Sequence, residues 1–141
     1  MRRNTFHIVL IAAAFSLAAG PVSYGKVIYV DDDARPLGDG TSWVRAYPFL
    51  QHALTDAAMA EKPVEIRVAQ GTYTPDRGAV ASEGMGDRLA AFALIDGITV
   101  TGGYAGLGAS DPNAWDVDAY ASILSGDLAG GYLHPPGLHV P

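Results

Sequence analysis

Cysteine is absent from the 141 residues. No disulfide framework can hold a small fold together, and no thiolate is available for metal binding or nucleophilic catalysis. Hydrophobic packing has to suffice. Positive charge is also scarce, with 9 Lys+Arg against 15 Asp+Glu. No basic patch exists for nucleic acid or for an anionic membrane surface. Missing too is an apolar run of the roughly 20 residues that a spanning helix needs. The apolar run from Ile8 to Ala19 follows Arg2 and Arg3 and precedes Gly20-Pro21 and the small-residue pattern Ser23-Tyr24-Gly25. That is the form of a secretory signal over residues 1–25, cleaved after Gly25, with an uncleaved anchor as the competing reading. The mature remainder would carry 7 Lys+Arg against 15 Asp+Glu, a net charge of −8. It would be secreted or held at the cell surface, with no membrane span left after cleavage.

What is present is turn-forming and apolar at once. There are 17 Gly and 9 Pro, yet 49% of the chain is hydrophobic. This combination argues against disorder and for many short segments joined by corners. Lys26 to Val30 reads as a strand apolar on both faces, and therefore covered on both. Asp31-Asp32-Asp33 and Gly38-Asp39-Gly40 follow as a solvated loop. Leu50, Ala53, Leu54, Ala57 and Ala58 recur at helical spacing, which predicts an amphipathic helix from Pro48 to about Glu61, stopped by Pro63. Val64, Ile66 and Val68 alternate with Glu65 and Arg67 as in a half-buried strand, and Gly71 supplies a corner. Pro75 to Asp87 has no periodicity and reads as a surface loop. Order is expected again at Phe92-Ala93-Leu94-Ile95, then at Ile98–Thr101 ending in the Gly102-Gly103-Tyr104 corner, and at Ser122–Ser125 ending at Gly126-Asp127. Strands this short with long connections cannot all be tight hairpins, whereas stacked coils accommodate them.

Chemistry-bearing residues are sparse. Asp31, Asp32 and Asp33 with Asp39 offer oxygen ligands suited to calcium, but the EF-hand spacing and its distal Glu are absent, and a hydrated loop is the plainer reading. Asp111, Asn113, Asp116 and Asp118 form a second acidic group with the same two readings. His52, His134 and His139 show no zinc-site spacing. The run Gly102 to Gly108 is neither G-x-G-x-x-G nor a Walker sequence, and no serine lies in a G-x-S-x-G elbow. Asp87-Arg88 is read as an ion pair or loop anchor. Tyr73, Tyr104, Trp43 and Trp115 could stack on sugar rings or cover the edge of the core, the second being favoured. No catalytic or cofactor-binding residue is assigned, and calcium is the one cofactor the composition allows.

Several blocks in order, "VIYVDDDA", "GDGTSWVRAYPFLQHALTDA", "IRVAQGTYTPD", "GDRLAAFALIDGITVTGGYAG" and "DPNAWDVDAYASILSGDLAG", carry a resemblance over Val27 to about Gly130. The chain resembles the amino-terminal region of bacterial secreted right-handed parallel β-helix repeat proteins of the pectin-lyase-like superfamily. That resemblance implies a mainly β fold: residues 26–130 as a cap and first coils, with one amphipathic capping helix. It makes Gly71 and Gly103 coil corners, and Ile66, Val68, Leu94, Val100 and Leu124 interior ladder residues. More coils normally follow in such proteins, and Gly131 to Pro141, rich in Pro and Gly, does not look like one. The expectation is therefore a noncatalytic structural or cell-surface module, part of a longer protein. The alternative is the remnant of a polysaccharide lyase or hydrolase without its catalytic coils. Cell-surface carbohydrate, or self-association through the open carboxy-terminal end, are the expected partners.

Overall fold

The computed structural model describes residues 25–78 and 87–128. The proposed signal sequence up to Tyr24, most of the 75–87 loop and the 131–141 tail lie outside them. Among the described residues, five strands form two small parallel sheets, and one α-helix packs against the larger. β1 (Lys26–Val30), β2 (Val64–Ala69) and β4 (Ile98–Tyr104) form one sheet in the order β1-β2-β4. β3 (Gly71–Tyr73) and β5 (Ser122–Leu124) form the other. Every strand pair is parallel. Because only Gln70 separates β2 from β3, the chain turns one sharp corner and passes directly from the first sheet to the second.

The register explains the core. Ile28 pairs with Ile66 and Ile66 with Val100, while Val30 pairs with Val68. The side chains of Ile28, Val30, Val64, Ile66 and Val68 are 0% exposed. Burying each contributes about 1.5 to 3 kcal/mol. Against this face lies α1 (Leu50–Met59), which buries Leu50, Ala53, Leu54 and Ala57. The small alanines let the helix axis come close to β1 and β2, and Lys26 Nζ reaches Asp56 at 2.6 Å to tie the two together.

Several boundaries differ from the sequence reading. The helix begins two residues later than predicted, with Phe49 as its extended N-cap, so Pro48 stands outside the first turn. It also ends before Pro63: Ala60 is extended, and Lys62 Nζ donates to the carbonyls of Ala57 and Ala60 at 2.7 and 2.6 Å. Ala58, placed on the apolar face by spacing, is exposed. Residues 91–95 form no strand, and Leu94 is 64% exposed; Phe92 is the side chain of that stretch that packs on the core. Leu124, the other expected ladder residue, is 47% exposed, since β3 is the one strand that pairs with β5 among the described residues. β4 runs on through Gly102 and Gly103, where φ is 92°, to Tyr104. Gly126 takes no left-handed conformation.

Glu65 marks a further difference. Its face of β2 was expected to meet solvent, yet it is only 7% exposed. Arg67 donates from Nε and Nη2 to Glu65 Oε2 at 3.1 and 3.0 Å. The guanidinium lies 6.0 Å from the Tyr29 ring and 5.6 Å from Tyr104. Trp43, from a single 3-10 turn at Trp43–Arg45, packs 4.9 Å edge-on to Tyr29. The outer face is thus roofed by aromatics around a paired charge.

Candidate functional site

The aspartate loop sits where β1 ends, and three neighbouring segments meet it there. One oxygen from each of Asp31, Asp32 and Asp33 lies within 4.8 Å of the others, so the structure does gather these three candidates. Asp39 is not among them. It pairs with Arg45 Nη2 and accepts from the Thr41 hydroxyl at 2.7 Å, on an exposed turn of its own. Those bonds hold its carboxyl well below the usual carboxylate range.

Asp31 is 2% exposed, and both of its oxygens are engaged. Oδ1 accepts the Asp33 N–H at 3.0 Å, and Oδ2 accepts the Leu107 N–H at 2.5 Å. Asp32 Oδ2 accepts the Thr72 N–H at 3.2 Å. Tyr73, buried beneath, accepts the Asp32 N–H at 3.3 Å and donates to Ala69 O at 3.1 Å. Its hydroxyl is pushed upward by burial and by the Asp32 and Asp31 charges, so it remains a donor. These bonds fasten the end of β1 to β3 and to the loop after β4. Two glycines make the close approach feasible. Gly71, at φ 145°, and Gly106, at φ 78°, each face a carboxylate where a Cβ would collide with Asp32 or Asp31.

Burial raises the Asp31 carboxyl, the Leu107 and Asp33 amides partly offset that, and the charges of Asp32 and Asp33 add to the rise. Burial is also the leading cause of the raised Asp32 carboxyl, with the Thr72 amide opposing it. A raised carboxyl can serve as a general acid only if substrate reaches it, and Asp31 faces main-chain amides. Calcium takes six to eight oxygens, whereas the Leu107 and Asp33 N–H groups direct positive ends into this cluster. The arrangement is that of a clasp.

The second acidic group does not converge. Asp111 Oδ1 accepts the Asn113 N–H, Asp116 Oδ1 accepts those of Asp118 and Ala119, and Asn113 Oδ1 accepts from Trp43 Nε1 at 3.0 Å. Asp87 accepts the Leu89 N–H, which makes it a turn anchor, and no ion pair to Arg88 is found among the described residues. His52 lies 5.4 Å from the Phe49 ring and 6.0 Å from Tyr47, within an aromatic contact; His134 and His139 lie outside the described residues. Trp43 and Tyr73 are buried, as the core-edge reading expects, but Trp115 is 58% exposed. Beside it an open hollow of about 220 Å³ is lined by Gly102, Gly103, Val117, Ala121 and Ser122, none of them ionisable. No described helix is long and apolar enough to cross a membrane.

The clasp was missed in the sequence because its decisive donors are main-chain amides, to which any residue type contributes. Gly71 and Gly106, each left-handed and facing a carboxylate, were the signals the sequence offered. Comparison with known proteins finds no matching family model, no similar curated protein and no similar solved structure.

Proposed function

We propose that the chain is a noncatalytic, exported structural module, the cap and opening coils of a right-handed parallel β-helix displayed outside the cell or on its surface. The observation that carries this reading is the succession of registers. β1, β2 and β4 pair in chain order and in parallel, and β3 and β5, each following a strand of the first sheet, pair in the same sense. A chain that visits two sheets in turn and returns one strand further along each time is laid out as coils. The right hand follows from the general handedness of parallel crossovers. Support for a noncatalytic role comes from the carboxylates of Asp31 and Asp32, whose oxygens are spent on main-chain donors.

One preparation of the protein tests both parts. Side-chain NMR contacts are expected between Ile28 and Ile66, between Ile66 and Val100, and between Thr72 and Ile123. Incubation with acidic and neutral polysaccharides is expected to yield no new reducing ends and no unsaturated products. Turnover that disappears in Asp32→Asn would overturn the noncatalytic reading in favour of a polysaccharide lyase or hydrolase. Missing Ile66–Val100 contacts would overturn the coil.

A further inference from the structure

Two Asp-Gly pairs occur in the chain, Asp39-Gly40 and Asp96-Gly97. In such a pair no Cβ on the second residue shields its main-chain nitrogen from the aspartyl side chain, so the nitrogen and the carboxyl can close a five-membered ring. The fold treats the two pairs oppositely. Asp39 turns its carboxyl to Arg45 and to the Thr41 N–H and hydroxyl, while the buried Gly40 donates its own N–H to Arg45 O at 2.8 Å. Both halves of that pair are held by other groups. Asp96 and Gly97 are exposed, in the turn that the Ile98 N–H closes on Ile95 O at 3.3 Å. There the Gly97 N–H donates to Asp96 Oδ1 at 3.1 Å, and among the described residues that carboxyl has no other partner. The turn also requires the glycine: φ is 78° at position 97, and a Cβ would stand 2.9 Å from Lys62 Cγ.

We propose that Asp96 is a site of spontaneous covalent modification, rearranging through a succinimide to isoaspartate in the folded protein, while the fold protects Asp39. The Gly97 nitrogen attacks Cγ of the protonated Asp96 carboxyl. The N–Cγ bond forms, the amide proton departs, and the Cγ hydroxyl leaves as water. A second water then reopens the ring at one of its two carbonyls. Attack at Cγ restores aspartate. Attack at the main-chain carbonyl carbon leaves the chain running through Cβ and Cγ, with the former main-chain carbonyl as a free carboxylate. Water is lost and regained, so nothing is oxidised and the mass is unchanged. Holding nitrogen and carboxyl against each other is what turns this slow reaction into a site-selective one.

The position gives the rearrangement a structural consequence. Isoaspartate adds one methylene to the main chain immediately before Gly97, whose carbonyl accepts the Val64 N–H at 2.9 Å. Ile98, the first residue of β4, pairs with Val64 in the next rung. The entry to β4 is thereby lengthened against a fixed neighbour, and the first rungs between β2 and β4 are the ones that loosen.

Incubation of the full chain in heavy-oxygen water at neutral pH, followed by peptide mapping, tests the site. Each ring opening installs one heavy oxygen, and isoaspartyl peptides separate from aspartyl peptides of the same sequence. Under native conditions isoaspartate is expected to form at Asp96 at least about tenfold faster than at Asp39. In denaturant, where neither pair is held, the two rates should come together. Asp96→Glu, which would need a six-membered ring, should remove the product at that position, and Arg45→Gln should raise the rate at Asp39. In the isomerised fraction the Val64 amide should exchange with solvent faster than in the parent, with the Tyr29 and Asp31 amides unchanged. Folded protein that forms isoaspartate at Asp39 as fast as at Asp96 would overturn the assignment. So would isoaspartate that appears at Asp96 in denaturant alone.

Discussion

At the scale of single residues, Gly71 and Asp31 account for most of what the aspartate loop does. A Cβ at position 71 would stand about 2.5 Å from the Asp32 Cγ, and φ is 145° there. Gly71→Val is therefore expected to cost more than about 2 kcal/mol, read as a lowered melting midpoint. Gly126→Val is the control, since nothing lies within 4 Å of a Cβ there. Equal midpoints for the two variants would remove the clasp from the account. Asp31 gives a pH signature. Its folded carboxyl is raised above the ordinary range of an aspartate, chiefly by burial, so the folded chain holds the proton more tightly than the unfolded one. The stability this contributes is fully present below the unfolded pKa and is lost as pH rises through the folded pKa. Asp32 acts in the same sense. Asp39 acts oppositely, its contribution fading as pH falls, but it is exposed and screened by salt. Asp31→Asn should accordingly gain on the parent as pH rises from about 4 towards neutrality. A midpoint difference that is flat across that window would show that the buried carboxyl is not strained by its charge.

At the scale of elements, α1 holds the core against β1 and β2 through a few side chains. Leu54 is 5% exposed and Met59 79%. Leu54→Ala should lose about 2 to 5 kcal/mol, while Met59→Ala should stay within about 0.5 kcal/mol, both measurable by denaturant unfolding. Elements with a period were the legible ones. The spacing of Leu50, Ala53, Leu54 and Ala57 gave away the helix, and the alternation of Val64, Ile66 and Val68 gave away β2. The helix ends were less legible, because neither uses a side-chain N-cap or a glycine stop: Phe49 opens it, and Lys62 satisfies its last carbonyls from outside. β3 is too short to show any period. Residues 91–95 are apolar without being paired as a strand; Gln51 Nε2 donates to the Ala91 carbonyl at 3.1 Å, and Leu94 is exposed. Glu65 looked like a solvent-facing residue because nothing local announces that Tyr29, Trp43 and Tyr104, from three separate parts of the chain, close over it.

At the scale of the whole molecule, what composition and corner spacing conveyed was the manner of chain travel: short strands with long connections that could not all be tight hairpins. The pairing order β1-β2-β4 agrees with that expectation. The candidate site was legible only as a string of acids. Its character is set by the Leu107 amide, which lies 76 residues along the chain from Asp31, and no local pattern can report a contact at that separation. That separation has a temporal consequence. Drawing the ends of a 76-residue segment together costs about 4 kcal/mol in chain entropy, whereas a hydrogen bond to a charged group returns only about 1.5 to 3 kcal/mol. The bond cannot recruit its own partners and must wait until β2 and β4 have assembled beside β1. It is then a late event, a seal on a finished stack and no part of its nucleus. Asp31→Asn should therefore change the unfolding rate and leave the refolding rate where it was.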